Sequence, residues 1–308
     1  MAYRFTLKQT VAQNARRVAI GEIDRALALC GNEGDRAEAV HELRKHCKKL
    51  RGLIRLLRGP LEADGKYDVD NAFFRDAARE LGSVRDSQAM KETYDKVMLR
   101  YAAEIDRRHF APIRRALTLH EHAVRAADDL APRIARFREH MLDARERIED
   151  WHVEEDGFDA VRDGLTRTYR RGRKAMATAF ESPNGENFHA WRKHAKYHWY
   201  HMRLLERVWR SELHPRRAAA KELGEALGEH HDLAVLRAHL TDGDRTRDME
   251  ILIDRRAEEL TVRARIIGER LYAGKPKAFG TGFEGWWQAR LDEIVADRGG
   301  SSGPAGLH

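Results

Sequence analysis

Residues 39–58 constrain this chain more than any other stretch, because their two faces separate almost completely when wound on a 3.6-residue helix. Val40, Leu43, Cys47, Leu50, Ile54 and Leu57 recur at steps of three and four, which is the seam of a helical bundle. His41, Arg44, Lys45, Lys48, Arg51 and Arg55 lie opposite, in a row about 21 Å long at the rise of an α-helix. Glu42 is the one acid between residues 39 and 58. A face built only to be solvated intersperses acids with bases for i,i+4 support. Like charges left unrelieved predict an anionic partner.

The pattern occurs twice. At a constant offset and without a gap, His41 meets His189, Arg44 meets Arg192, Lys45 meets Lys193 and His46 meets His194. Lys48, Arg55, Leu56 and Leu57 then meet Lys196, Arg203, Leu204 and Leu205. A second match follows each copy, Leu-Gly-Ser-Val-Arg-Asp at residues 81–86 and Leu-Gly-Glu-His-His-Asp at 227–232. Two ordered matches at nearly equal separation argue for an internal duplication. Two copies predict a pseudo-symmetric pair of halves rather than a solenoid.

The chain has 308 residues, 35% of them charged and 42% hydrophobic, which suits a globular fold with a sizeable core. Abundant Ala, Leu, Arg and Glu favour helix. A net charge of +7 directs the chain towards acidic partners without choosing among them. Cys30 and Cys47 give neither a disulfide framework nor zinc spacing, and Cys47 falls on the apolar seam. Neither a signal peptide nor a run of eighteen apolar residues is read, so a reducing cytoplasm and no membrane contact are expected.

Helical periodicity runs over residues 4–30, and Asp35 stands three before Glu38 as a capping box for the first basic helix. Gly59-Pro60 is expected to stop that helix. Further helices are expected over 69–81, from Gly82-Ser83 to about 108, and from near Pro112 and Pro132. The acid-rich run ending at Gly157 marks a boundary, giving halves 1–152 and 153–296 and a disordered tail, 297–308. The second half predicts helices over 158–180, the second basic stretch, 215–228, 232–240 and 245–272. A loop over 274–285 precedes a last short helix near Trp286. No strand pattern survives, so the fold class is all-α.

Several features imitate catalytic or metal sites. Glu38 with His41 and Glu186 with His189 have the i,i+3 spacing of di-iron bundles, but no further inward carboxylates accompany them. His194 and His198, with His201 a turn on, have metal-ligand spacing without a third ligand or general base. His230-His231-Asp232 resembles the dyad of metal-dependent phosphohydrolases, yet the first copy reads Val84-Arg85-Asp86, so an Asp after a Gly break that caps a helix or pairs with the neighbouring basic helix explains both better. No phosphate loop, nucleophile elbow or Cys-His pair is present. No enzyme, metal or cofactor is expected. The duplicated rows, joined by Arg167, Arg170, Arg171, Arg173 and Lys174, instead suit phosphate oxygens.

These residues resemble the CHAD family, the conserved histidine α-helical domain. The resemblance rests on His41, Arg44, Lys48, Lys49 and Arg51, on His189, Arg192, Lys193, Lys196 and Tyr200, and on the Leu-Gly-x-x-Arg-Asp element at 81–86. It extends from about residue 3 to residue 290. It implies two four-helix bundles related by a pseudo-twofold axis, with basic faces meeting around a central groove or channel. It also implies non-enzymatic binding of inorganic polyphosphate, and association with polyphosphate granules or polyphosphate-metabolising enzymes. The Glu-x-Glu-x-Lys opening of a triphosphate-tunnel domain is missing, so triphosphatase activity is not expected. Trp199 stands where the second repeat often carries a cation.

The expected polyphosphate-binding residues are therefore His41, Arg44, Lys45, Lys48, Lys49, Arg51 and Arg55, then Arg170, Arg171, Arg173 and Lys174, then His189, Arg192, Lys193, Lys196 and Arg203. An alternative partner is single-stranded nucleic acid, with bases stacked on Tyr197, Trp199 or Tyr200. A second alternative is the His/Asp phosphohydrolase at Asp232.

Overall fold

The computed structural model describes residues 3–31, 36–127, 129–241 and 243–300, with the side chains of 37, 83–86 and 298–300 outside that description. Among the described residues the chain forms α-helices and no strand. The first half holds α1 (Val11–Cys30), α2 (Arg36–Leu56), the short α3 (Arg58–Ala63), α4 (Tyr67–Glu80), α5 (Ser83–Arg100), α6 (Ala111–Ala127) and α7 (Leu130–Glu149). The second holds α8 (Asp159–Glu181), α9 (Gly185–Leu205), α10 (Arg210–His239), α11 (Asp244–Leu271) and α12 (Pro276–Gly300).

Several boundaries differ from those expected. Residues 4–10 are not helical: Thr10 and Gln13 close a capping box, and helix begins only at Val11. α2 ends at Leu56, and Gly59-Pro60 falls inside α3, where the first turn needs no proline N–H. α5 stops at Arg100 rather than near 108. α10 is one continuous helix through Gly228, so the expected break there, and the capping role for Asp232, are both overturned. Glycine is used in α10 for close packing, without positive φ. The expected loop over 274–285 is the first turns of α12, opened by Pro276, with Gly280 letting α12 approach Thr166 on α8. α12 continues through Asp297 to Gly300; residues 301–308, and the Asp35 cap, lie outside the described residues.

The helix partnerships repeat. α1 packs on α2 and α7, α2 on α4, and α5 on α6. In the same order α8 packs on α9 and α12, α9 on α10, and α10 on α11. The hydrophobic clusters do not respect the division at residue 152. The larger one runs from Tyr3 to Trp287, while the smaller joins α5 and α6 to the C-terminal part of α10 and to α11. Helices of one half thus complete the core of the other.

Candidate anion-binding site

The apolar seams behave as their spacing requires. Val40, Leu43, Cys47, Leu50, Ile54 and Leu57 are all fully buried, which fixes the rotation of α2 and turns its cations to the opposite side. On α9 the same is done by Phe188, Trp191, Ala195, His198, Met202 and Leu205. His198 and His201 are completely buried, His201 Nε2 donates to the Gly52 carbonyl (3.1 Å), and burial pushes the His201 pKa down to about 3. These histidines are part of the core. Among the described residues no cluster of three or more His, Cys, Asp or Glu could hold a metal ion.

α2 crosses α9 at Gly52, where an added Cβ would lie 2.9 Å from Tyr200 Cβ. Only glycine permits that approach. The crossing brings the two rows into one field. The Arg55 guanidinium reaches over the Tyr197 ring at 4.3 Å, and it also donates to the Tyr67 hydroxyl (3.3 Å). His194 is held to a pKa of about 4 by burial and then by the charges of Arg55, Arg171 and Lys193, contributed by α2, α8 and α9. Burial lowers the Lys196 ammonium pKa too, with Arg192, Lys221 and Lys45 pressing in the same direction against Glu225.

The Leu-Gly match acquires a physical meaning. In the first copy Arg44 Nη1 donates to the Gly82 carbonyl (3.0 Å), and it would stand 3.1 Å from a Cβ added there. In the second copy a Cβ on Gly228 would lie 3.4 Å from Arg192 Nε, and one on Gly224 would lie 3.2 Å from Lys196 Cδ. Gly224 and Gly228, one turn apart, open a trough on α10 that receives the stems of Lys196 and Arg192, themselves one turn apart on α9. Leu81 and Leu227 are buried beside them.

The expected residues divide by what holds them. Lys45 pairs with Glu42 (2.5 Å), and Lys49 donates to Glu22 (3.0 Å) in a buried network that also takes Arg25 and His46. Lys49 is thereby turned away from the row. Arg51 donates to Asn71 (3.2 Å), while His41 and Lys48 lie on the same side of α2. Arg170, Arg171, Arg173 and Lys174 are exposed on α8, and Lys193 is exposed on α9, without an ion pair among the described residues.

Aromatic rings hold the rest. Lys196 Nζ lies 5.2 Å from the Trp199 ring centre, and Arg203 lies 5.9 Å from Trp199 and 5.5 Å from Tyr3. A ring orients a cation as a carboxylate would, but without cancelling its charge. Tyr3, Gly52, Gly82, Gly224 and Gly228 were not among the expected residues; the repeated Leu-Gly and the i,i+4 spacing were the signal for the last three.

The His189 ring meets that of His231 at 4.4 Å, tilted by 40°, and burial, His231, Lys193 and Arg192 keep its pKa near 4. Among the described residues, the buried polar atoms without a hydrogen-bond partner include Arg55 Nε, Arg167 Nε, Arg192 Nε and His189 Nδ1.

The sequence model of the CHAD domain matches residues 19–241. A crystal structure of the CHAD domain from the plant Ricinus communis is similar in fold, with a TM-score of 0.53 at 17% identity over 92% of this chain and 94% of that one. Among curated proteins no match is found. With well over half its length matched, the chain belongs to the CHAD domain family.

Proposed function

We propose that the chain is a non-enzymatic binder of inorganic polyphosphate, and that the α2 and α9 rows with the α8 cations line one groove. The CHAD family is associated with polyphosphate binding. The observation that carries the reading is that, of the four buried guanidinium Nε atoms without a hydrogen-bond partner among the described residues, on Arg55, Arg167, Arg192 and Arg216, two belong to the α2 and α9 rows. An unmet buried donor costs about 1–3 kcal/mol, more when charged, and a phosphate oxygen supplies the missing acceptor. Rigid helices holding the cations in place reduce the ordering cost of capturing a flexible polymer.

A pseudo-twofold axis through the α2–α9 crossing is supported by a self-equivalent contact. Gly52 and Tyr200 occupy the same position in the two copies and touch each other, as residues on a twofold must. The division into 1–152 and 153–296 then describes sequence repeats that share a core.

Base stacking finds little support. Tyr200 is buried, the Tyr197 ring carries Arg55, and the Trp199 ring carries Lys196 and Arg203. Single-stranded RNA should therefore fail to displace polyphosphate at equal phosphate concentration. The direct test is titration of polyphosphate against the protein and against Arg44→Gln/Arg192→Gln, with helicity checked by circular dichroism. Equal affinity for the two proteins would discard the groove.

A further inference from the structure

We propose that the anion track continues past Arg203 onto a second arm formed by Arg207, Arg17 and Arg4, so that the site takes a long polyanion rather than a short one; this rests on the polyphosphate reading above. The arm exists because the N-terminal segment is strapped across the end of the crossing. The Tyr3 hydroxyl donates to the Lys49 carbonyl on α2 (2.8 Å), and the Phe5 N–H donates to the Leu204 carbonyl on α9 (2.8 Å). The Tyr3 ring meets Tyr200 edge-on at 5.9 Å while its face carries Arg203. The strap thus starts where the α9 row ends.

Arg207 lies four residues beyond Arg203, in the turn that follows the end of α9 at Leu205, where the Val208 N–H donates to the Leu205 carbonyl (2.9 Å). Burial depresses the Arg17 pKa, and the Arg207 charge acts in the same direction. Arg17 in turn donates to the Arg4 carbonyl (3.0 Å), to Gln9 (2.9 Å) and to Asn14 (2.6 Å), all uncharged acceptors. Arg4 and Arg207 are exposed, and neither has an ion pair among the described residues. The acid between Arg203 and Arg207 is Glu206, which is buried and already taken by His214 (2.8 Å) and Arg217 (2.7 Å). Some exposed arginines elsewhere, such as Arg114, Arg255 and Arg263, are by contrast paired with carboxylates. Three cations therefore run on from the groove, and among the described residues none of them has an ion pair.

The test compares long-chain polyphosphate with tripolyphosphate, measuring affinity against salt for the wild type and for Arg4→Ser/Arg207→Ser. Arg17 is kept because it anchors the strap. With about 0.7 in the log-log salt slope per neutralised phosphate, the double variant should lose about 1.4 on the long polymer and nothing on tripolyphosphate. An unchanged slope on the long polymer, or an equal loss on both ligands, would overturn the arm while leaving the groove intact. Wild-type protein that binds neither ligand would instead sink the polyphosphate reading, and the arm with it.

Discussion

Glu22 is the acid on which the first row turns inward, and replacing it by Gln tests how that row is held. Its carboxylate is 1% exposed and receives His46 Nδ1 at 2.6 Å, Lys49 at 3.0 Å and Arg25. Burial alone would raise its pKa, but the hydrogen bond from His46 and the charge of Lys49 outweigh it and leave about 2 against an ordinary 4.5. At about 1.4 kcal/mol for each factor of ten in proton affinity, that difference is worth about 3 kcal/mol of stability. Because the folded pKa is depressed, the contribution is complete above about pH 4.5 and disappears as pH falls towards 2. Glu22→Gln keeps the shape and removes the charge that Lys49 and Arg25 face, so it should cost about 3 kcal/mol at neutral pH. Urea unfolding of both proteins between pH 7 and pH 2.5 measures the gap, which should narrow progressively below pH 4.5. A gap that stays constant over that range would refute the assignment of the stability to this carboxylate.

Gly224→Ala/Gly228→Ala should raise stability while lowering affinity. Alanine gains about 1 kcal/mol per helix-interior site, whereas each Cβ crowds the Lys196 and Arg192 stems and shifts their charges, weakening polyphosphate binding by up to about tenfold. Thermal unfolding with calorimetric titration separates the two effects, and a variant that is less stable yet binds unchanged would contradict the trough. Trp199→Leu should weaken binding about fivefold, corresponding to about 1 kcal/mol of lost cation–π orientation, with Trp199→Phe recovering part of it. Wild-type affinity in the Leu variant would show the ring to be passive.

Helix was legible because a 3.6-residue period leaves its mark on every turn, and breaks were less so. Gly82 caps a helix while Gly228 lies inside one, though both follow Leu in matching words. In both places an arginine of another helix lies against the glycine, Arg44 at Gly82 and Arg192 at Gly228, and a contact made by another helix is invisible in a local pattern. Lys48 and Lys49 are adjacent and chemically alike; a helix turn of about 100° sends Lys49 to Glu22, and only the packing of α1 places an acid there. The pairing of Arg203 with Tyr3 joins residues two hundred positions apart.

The sequence by itself determined an all-helical chain carrying one basic helix twice, since amphipathic spacing and a repeated word are properties of the string. Which cations remain available to a ligand was decided only by tertiary structure. Charge is fixed by residue type, but whether a carboxylate, a carbonyl or an aromatic face meets that charge depends on what the neighbouring helices bring within about 5 Å.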